Sequence, residues 1–208
     1  GIQRLENGRF RRIPPPPVVK PGIEFQVYPG GRADESGILH LCVNPFTTFL
    51  WDGTRLTYPG PLPLASALSY LYDPFTETDY YGTNIGLLRI PRNGAGYSLE
   101  AIYPGKTLNK AVSMIQDRYR RIWLGGFHGL SILDGKTAIP FPNEQHPYTQ
   151  GANALAIDPQ ENIWIGNTDG LWYYDNKDFR KIRNAWFNEL VVSIAPVGKE
   201  WLFVGSVH

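Results

Sequence analysis

The sequence predicts an all-β fold built from repeated units, and three observations lead to this prediction. The 208 residues include 22 glycines and 18 prolines, and aromatic residues make up 13% of the chain. Short stretches of alternating apolar and polar residues replace the longer patterns that are typical of helices. One such pattern also recurs at intervals of about 41 residues. Together these features indicate an array of short antiparallel strands joined by many turns.

The repeats are visible when segments of the chain are aligned. The segment "IWLGGFHGLSILDG" matches "IWIGNTDGLWYYDN" 41 residues later, and further copies are "DYYGTNIGLLRIPRNG", "LFVGSVH" and the less similar "HLCVNPFTTFLWDG". Turn residues at corresponding positions are Gly8, Gly53, Gly94, Gly135 and Asn176. Their spacing divides the chain into five repeats, provided that the C-terminal and N-terminal segments together form one of them.

Each repeat contains the pattern of four short strands. In one copy these are "NALAIDPQ", "IWIG", "GLWYYD" and "FRKI", and Asn-Gly or Asp-Gly steps supply hairpin turns with positive φ. Four strands in about 40 residues are typical of a β-propeller blade. We therefore predict five four-stranded blades, the last closed by pairing of N- and C-terminal strands, at 189–208 with 1–16, 17–60, 61–100, 101–143 and 144–188. The alternative is an excerpt of a larger propeller array.

Several recurring residues are predicted to belong to the framework. Trp123 and Trp164 occupy the same position in two repeats, where neighbouring blades must pack against each other. Asp73, Asp117 and Asp158 recur after the first strand, which favours a role in turns. The segment "GGRADES" at 30–36 is interpreted as an enlarged hairpin loop.

The repeats "DPQENIWIGNTDGLWYYD" and "DRYRRIWLGGFHGLSILDG" resemble the two-component-regulator propeller repeat, which is found in sensor regions of bacterial hybrid histidine kinases. Together with the less similar copies, the resemblance covers nearly the whole chain. It implies a sensor β-propeller that lies in the periplasm or outside the cell and takes part in signal transduction. It also implies recognition of a glycan-derived ligand, with a signalling domain attached to the same chain.

Composition and motifs argue against several other classes of function. The formal net charge of +1 gives no reason to expect binding to nucleic acid, and no apolar run suggests direct insertion into a membrane. Catalytic signatures such as H-E-x-x-H and G-x-S-x-G are missing, so we expect no enzyme and no cofactor. A propeller glycosidase or lyase is the least favoured alternative. The single Cys42 argues against a disulfide or cysteine metal site, and His40 lies in a strand without a spaced partner.

The candidate ligand site is the face where the turns between second and third strands emerge around the central channel. These turns and the links between blades combine amides, hydroxyls and aromatic rings, which suits a small polar ligand, possibly an oligosaccharide. His128 and His208 share a register there, but the equivalent residues make a poor metal shell, so no metal site is predicted. A protein partner could use the same face instead. The candidate residues are Asn84, Phe127, His128, His146, Tyr148, Asn153, Asn167, Thr168, Asp169, Trp186, Ser206 and His208.

Overall fold

A computed structural model describes residues 2–24, 26–28, 30–44, 47–62, 66–94, 96–100, 102, 110–134, 137–141, 151–183 and 189–207. The elements in these ranges are β-strands, and every pairing between strands is antiparallel apart from one isolated bridge. None of the described residues forms a helix that is long and apolar enough to cross a membrane.

Three four-stranded sheets have the simple order of a propeller blade, in which each strand pairs with the next one along the chain. The first strand of the third blade, Ala111–Gln116, contacts the first strands of the second and fourth blades, Ala67–Asp73 and Ala154–Ile157. The predicted plan of four strands per repeat is confirmed for these sheets. The second blade comprises β8 (Ala67–Asp73), β9 (Thr78–Thr83), β10 (Leu87–Pro91) and β11 (Ser98–Glu100); the third blade comprises β12 (Ala111–Gln116), β13 (Ile122–Gly126), β14 (Gly129–Asp134) and β15 (Thr137–Phe141); the fourth blade comprises β16 (Ala154–Ile157), β17 (Ile163–Asn167), β18 (Gly170–Tyr174) and β19 (Phe179–Lys181).

The first blade is built less regularly. Its second strand, Leu39–Asn44, pairs with Thr47–Trp51 on one side and with two short strands, Gln26–Val27 and Arg32–Ala33, on the other, so its innermost strand is interrupted. The prediction that 30–36 form a hairpin loop is wrong for 30–33, because Arg32 pairs with His40 and Gly30 forms a bridge to Ser69 of the second blade; the turn of this hairpin begins at Asp34. A Cβ atom on Gly30 would lie 2.6 Å from the carbonyl oxygen of Leu68, so glycine permits this close approach. The first blade comprises β3 (Gln26–Val27), β4 (Arg32–Ala33), β5 (Leu39–Asn44), β6 (Thr47–Trp51) and β7 (Leu56–Thr57).

The turn after each first strand is organised by an aspartate, as the sequence predicted. Asp117 Oδ1 accepts hydrogen bonds from the backbone amides two and four residues later, both at 2.9 Å, and Asp158 repeats both bonds. Asp34 repeats them in the first blade, and Asp73 accepts the first of the two. These carboxylates satisfy amides that the tight turn would otherwise leave unpaired.

The two chain ends form separate two-stranded hairpins. The N-terminal hairpin comprises β1 (Gln3–Glu6) and β2 (Arg9–Arg12), and the C-terminal hairpin comprises β20 (Leu190–Val197) and β21 (Trp201–Val207). The predicted pairing between them is not formed, since β1 and β21 lie in different sheets. The N-terminal hairpin packs against the first blade, where Ile2 and Ile13 contact the apolar cluster that contains Phe49. Trp201 and Phe203 of β21 remain 69% and 64% exposed.

Apolar clusters lie between neighbouring blades and form the core. One joins the second and third blades through Leu87 and Leu124, and another joins the third and fourth through Trp123 and Ile165. A third joins the first and second blades around Cys42 and Tyr70. Each blade therefore depends on its neighbours to bury its faces, as in other repeat proteins.

Candidate functional site

The central channel is lined by residues that β-bulges redirect. The pairing of first and second strands shifts by one residue between Ala67 and Ser69, between Ala111 and Ser113, and between Val191 and Ser193. The extra residues are Leu68, Val112 and Val192, and all three line the channel mouth. A bulge leaves one residue outside the ladder and can re-aim its side chain. The fold therefore places one variable side chain per blade at this mouth.

The fourth blade supplies a polar residue at the corresponding place. Asn153 precedes β16 and donates its backbone N–H to the Gly166 carbonyl at 2.8 Å, while the next residue, Ala154, pairs with Gly166 in the ladder. Asn153 is half-buried and lines the mouth beside Val112 and Val192. Its amide offers both a donor and an acceptor to a ligand among otherwise apolar neighbours.

Two adjoining cavities make up the described channel. The mouth has a volume of about 270 Å³ and the deeper cavity about 310 Å³. Three residues, Val112, Asn153 and Val192, line both cavities, so the two cavities lie next to each other. The mouth is further lined by Tyr28, Leu68, Lys110, Phe127 and Leu190, and the deeper cavity by Gly30, Gly31, Arg32, Ser113, Met114, Ala154, Leu155, Ser193 and Ile194.

The charged residues on the walls of these cavities are cations. Lys110 is half-buried at the mouth, with Nζ 5.1 Å from the centroid of the Phe127 ring. Arg32 lines the deeper cavity and is exposed to solvent, and desolvation by the surrounding protein atoms lowers the pKa of its guanidinium. None of the described residues that line the two cavities is Asp or Glu. The described walls therefore combine apolar side chains, the Asn153 amide, two serines and positive charge.

Of the residues predicted from the sequence, Phe127 and Asn153 lie at this mouth. Asn84 is exposed, but its side-chain Oδ1 accepts a hydrogen bond from the Ser66 backbone amide at 3.0 Å. This side chain therefore stabilises the segment that precedes β8. Asn167 is fully buried, and its Oδ1 accepts the backbone amide of Asp169 at 2.9 Å.

The remaining predicted residues are dispersed. The Asp169 carboxylate accepts hydrogen bonds from Trp172 Nε1 at 3.0 Å and Lys181 Nζ at 3.2 Å. Burial opposes ionisation of Asp169, but these bonds prevail and lower its pKa. His128 and Thr168 are exposed in turns, and Ser206 lies half-buried within β21. His146, Tyr148, Trp186 and His208 lie outside the described residues.

The sequence did not point to Tyr28, Lys110 or Arg32 as channel residues. Arg32 lies in a segment that the repeat pattern predicts to be a loop. Lys110 immediately precedes β12, whose pairing with β13 shifts by one residue between Ala111 and Ser113, and Tyr28 immediately follows the two-residue strand β3. The recurring serine after the bulge was the available signal. Ser69 Oγ donates to the Ala111 carbonyl of the next blade at 3.0 Å, and Ser113 Oγ accepts the Leu155 amide at 3.0 Å.

The described residues contain no group of three or more His, Cys, Asp or Glu side chains that could hold a metal ion. The paired carboxylates that glycoside hydrolysis usually requires are likewise missing from the described walls of the channel.

No family model and no curated protein matches the sequence. Solved structures do match. Two are described as extracellular domains of hybrid two-component systems from B. thetaiotaomicron, the kind of protein that the repeats resemble. They share 16% and 18% identity with this chain, with TM-scores of 0.66 and 0.63, over 86% and 96% of its length. The chain adopts a β-propeller fold.

A third match is the catalytically inactive virginiamycin B lyase from Staphylococcus aureus with quinupristin, at 10% identity and a TM-score of 0.67 over 90% of this chain and 65% of that one. At such low identities the likeness concerns the fold, which sensors and enzymes both use. The propeller described here spans 27% of the length of each B. thetaiotaomicron domain.

Proposed function

We propose that this propeller is a non-catalytic sensor module that binds a small polar, glycan-derived ligand at its central channel. The extracellular domains among its structural neighbours support a location in the periplasm or outside the cell. A signalling domain attached to the same chain would then convert ligand binding into a response. The catalytic alternative has less support, because the described cavity walls offer no pair of carboxylates.

The observation that carries the proposal is the ring of bulged side chains at the mouth. The surrounding framework repeats, whereas this position changes from Leu68 and Val112 to Asn153 and then Val192. A rigid frame that presents one variable residue per blade is suited to binding. Tyr28 and Phe127 add aromatic surface on which the apolar face of a sugar ring could pack.

The test is a thermal-shift screen of the intact chain against an oligosaccharide panel, followed by calorimetry on every sugar that raises the melting temperature. A ligand that binds only the folded state must stabilise it. Asn153→Val should weaken binding about tenfold without changing the melting temperature of the free protein, since Val already occupies this position in two blades. Thr168→Val, in an exposed turn, is the matched control and should bind normally.

Outcomes of the same screen separate the alternatives. Release of product from any sugar would replace the sensor proposal with a glycosidase or lyase. Absence of a shift with every sugar would overturn the glycan proposal and favour the propeller as a docking scaffold for a protein.

We also propose that the terminal hairpins are the two halves of one further blade. The N-terminal hairpin copies the outer half of the fourth blade: Leu5 pairs with Phe10 as Tyr174 pairs with Phe179. The Ile13 amide donates to the Ile2 carbonyl at 2.9 Å. The corresponding bond from Ile182 to Leu171 has the same length.

The C-terminal hairpin copies the inner half. Gly205 pairs with Ser193 across a bulge, as Gly125 pairs with Ser113 in the third blade. Pairing in the register of the fourth blade would bring Gly205 opposite Ile2. The exposed edge of β21 and the exposed faces of Trp201 and Phe203 would then be covered.

Two glycine substitutions test this closure. A Cβ atom on Gly125 would lie 2.7 Å from the Ala152 carbonyl oxygen of the next blade, so Gly125→Ala should be strongly destabilising. A Cβ atom on Gly205 would meet only the movable Ser193 hydroxyl. If a blade covers this face in solution, Gly205→Ala should destabilise about as much as Gly125→Ala. Deleting 1–13 should also lower the melting temperature strongly, and an unchanged value would overturn closure.

A further inference from the structure

We propose that the ligand of the channel is an acidic sugar whose carboxylate groups bind Lys110 at the mouth and Arg32 in the deeper cavity. This inference rests on the proposed binding function and adds the chemical class of the ligand. It depends on where the structure places charge along the channel, which the almost neutral composition of the chain does not reveal.

The first step of the argument is that the two cations lack acidic neighbours on the described walls. The chain carries 20 Lys and Arg against 19 Asp and Glu, so an unbalanced positive channel is not a consequence of overall charge. The ion pairs of the described residues link other side chains, and neither Lys110 nor Arg32 takes part in them.

The acid nearest to Arg32 in the chain is already engaged elsewhere. Asp34 accepts the backbone amides of Ser36 and Ile38 through Oδ1, and its Oδ2 lies 3.1 Å from Arg92 Nη2. These bonds direct the carboxylate towards the junction with the second blade. Asp34 therefore does not neutralise the Arg32 guanidinium, whose charge is available to a ligand in the channel.

The second step concerns what such walls bind. A guanidinium presents paired N–H donors that match the two oxygens of a carboxylate, whereas the lysine ammonium acts as a compact charge. A cleft lined by charges of one sign also concentrates counter-ions. Partial desolvation lowers the pKa of the Arg32 guanidinium, and a bound anion would favour its charged form.

The third step concerns size and shape. The mouth holds Lys110 and the two aromatic rings, and the deeper cavity holds Arg32. Because the two cavities share three lining residues, a short ligand can occupy both. Asn153 borders both cavities and can form hydrogen bonds with hydroxyls. A disaccharide with uronic-acid units provides the carboxylate, the hydroxyls and the apolar ring faces that these walls match.

The experiment compares digalacturonate with its dimethyl ester by isothermal titration calorimetry on the intact chain. The two probes have the same sugar framework, but the ester lacks charge. We expect digalacturonate to bind at least tenfold more tightly, with an affinity that falls as salt is added. Lys110→Met and Arg32→Gln should each reduce the affinity about tenfold or more and reduce the preference over the ester. Lys177→Met removes an exposed charge from a turn and should change nothing.

The outcomes distinguish this inference from the function on which it rests. Equal binding of both probes, or wild-type affinity in both channel variants, would overturn the carboxylate assignment while leaving a sugar sensor intact. If no sugar binds but acetate or benzoate protects the wild type and not Lys110→Met, the anion site stands and the glycan function fails. If no anion binds, the inference is wrong. Melting temperatures check that Arg32→Gln remains folded, and Lys110→Met at the mouth gives an independent result.

Discussion

Two kinds of side-chain contact fill the junctions between neighbouring blades. In the third blade, Trp123 is fully buried and its indole Nε1 donates to Asp117 Oδ2 at 2.9 Å. Trp164 makes the same bond to Asp158 in the fourth blade at 3.0 Å. Each tryptophan lies six residues after its aspartate. An indole therefore covers the neighbouring blade and satisfies the turn carboxylate.

The junction between the first and second blades uses ionisable groups instead. His40 lies six residues after Asp34, the place that tryptophan takes elsewhere, and its Nε2 is 3.5 Å from Asp34 Oδ2. Its ring stacks on Tyr70 with centroids 3.7 Å apart, and its Nδ1 lies 3.1 Å from the Tyr81 hydroxyl. Asp79 occupies the same place in the second blade and accepts the Tyr70 hydroxyl at 2.6 Å.

Arg92 joins these groups. It donates through Nε and Nη2 to both oxygens of Asp79, at 3.0 and 2.9 Å, and through Nη2 to Asp34 at 3.1 Å. Burial alone would raise the pKa of Asp34, but hydrogen bonds from Ser36, Ile38 and Arg92 lower it to about 2. The difference between junctions shows that one framework position can be filled by a large apolar ring or by a charged network. In the charged network, both carboxylates depend on Arg92 for their opposite charge.

Removal of Arg92 should give the largest effect. Arg92→Met leaves two largely buried carboxylates facing each other, and the loss of one partner from a buried ion pair typically costs about 3 kcal/mol. Arg121→Met is the matched change at a tryptophan junction. Asp117 would keep the two turn amides and the indole, so the loss there should be about 1 kcal/mol. Urea unfolding of both variants measures the difference, and equal losses would contradict this account.

Replacement of an indole should give an intermediate effect. Trp123→Phe removes the hydrogen bond to Asp117 and leaves space in a fully buried site, so we expect a loss of about 2 kcal/mol. Trp164 is only half-buried, so Trp164→Phe should cost less. Thermal unfolding of the two variants provides the comparison. A larger loss for Trp164→Phe would mean that burial does not set the contribution of the indole.

These junctions also show how far the sequence could be interpreted. The strand plan, the aspartate turns and the framework role of the tryptophans were predictable because each recurs, and recurrence reports what every blade needs. The polar junction was not predicted, since His40 was considered alone. Its partner Tyr81 lies 41 residues away, one period along the chain, because neighbouring blades place equivalent strands side by side. A search for polar residues one period apart would have suggested this contact.

The candidate site was harder to predict for a related reason. Phe127 lies in a turn that the repeat alignment places at the channel face. Lys110 and Arg32, in contrast, line the channel because of a bulge and an interrupted first strand. The bulge shifts the direction of side chains by one residue, and the interruption divides the first strand into two short pieces; alternation in the sequence reveals neither feature.

The dependence of stability on pH gives the smallest expected effect and separates the two kinds of junction. Burial lowers the pKa of His40, although Asp34 and Asp79 oppose this and Arg92 reinforces it. Below the unfolded value of about 6.5, the unfolded chain therefore takes up a proton that folded His40 resists. The contribution of His40 to stability is present above that pH and is lost as pH falls, by at most about 1.4 kcal/mol per pH unit.

The measurement is the free energy of unfolding in urea between pH 5 and pH 7, on His40→Gln and His128→Gln. Both variants lack one histidine, but His128 is exposed in a turn, so the second is a control for the loss of a titrating group. The slope should decrease in His40→Gln and persist in His128→Gln. Equal slopes would show that the polar junction admits water and that His40 titrates as it does in the unfolded chain. The two kinds of junction would then differ in composition but not in how well they exclude solvent.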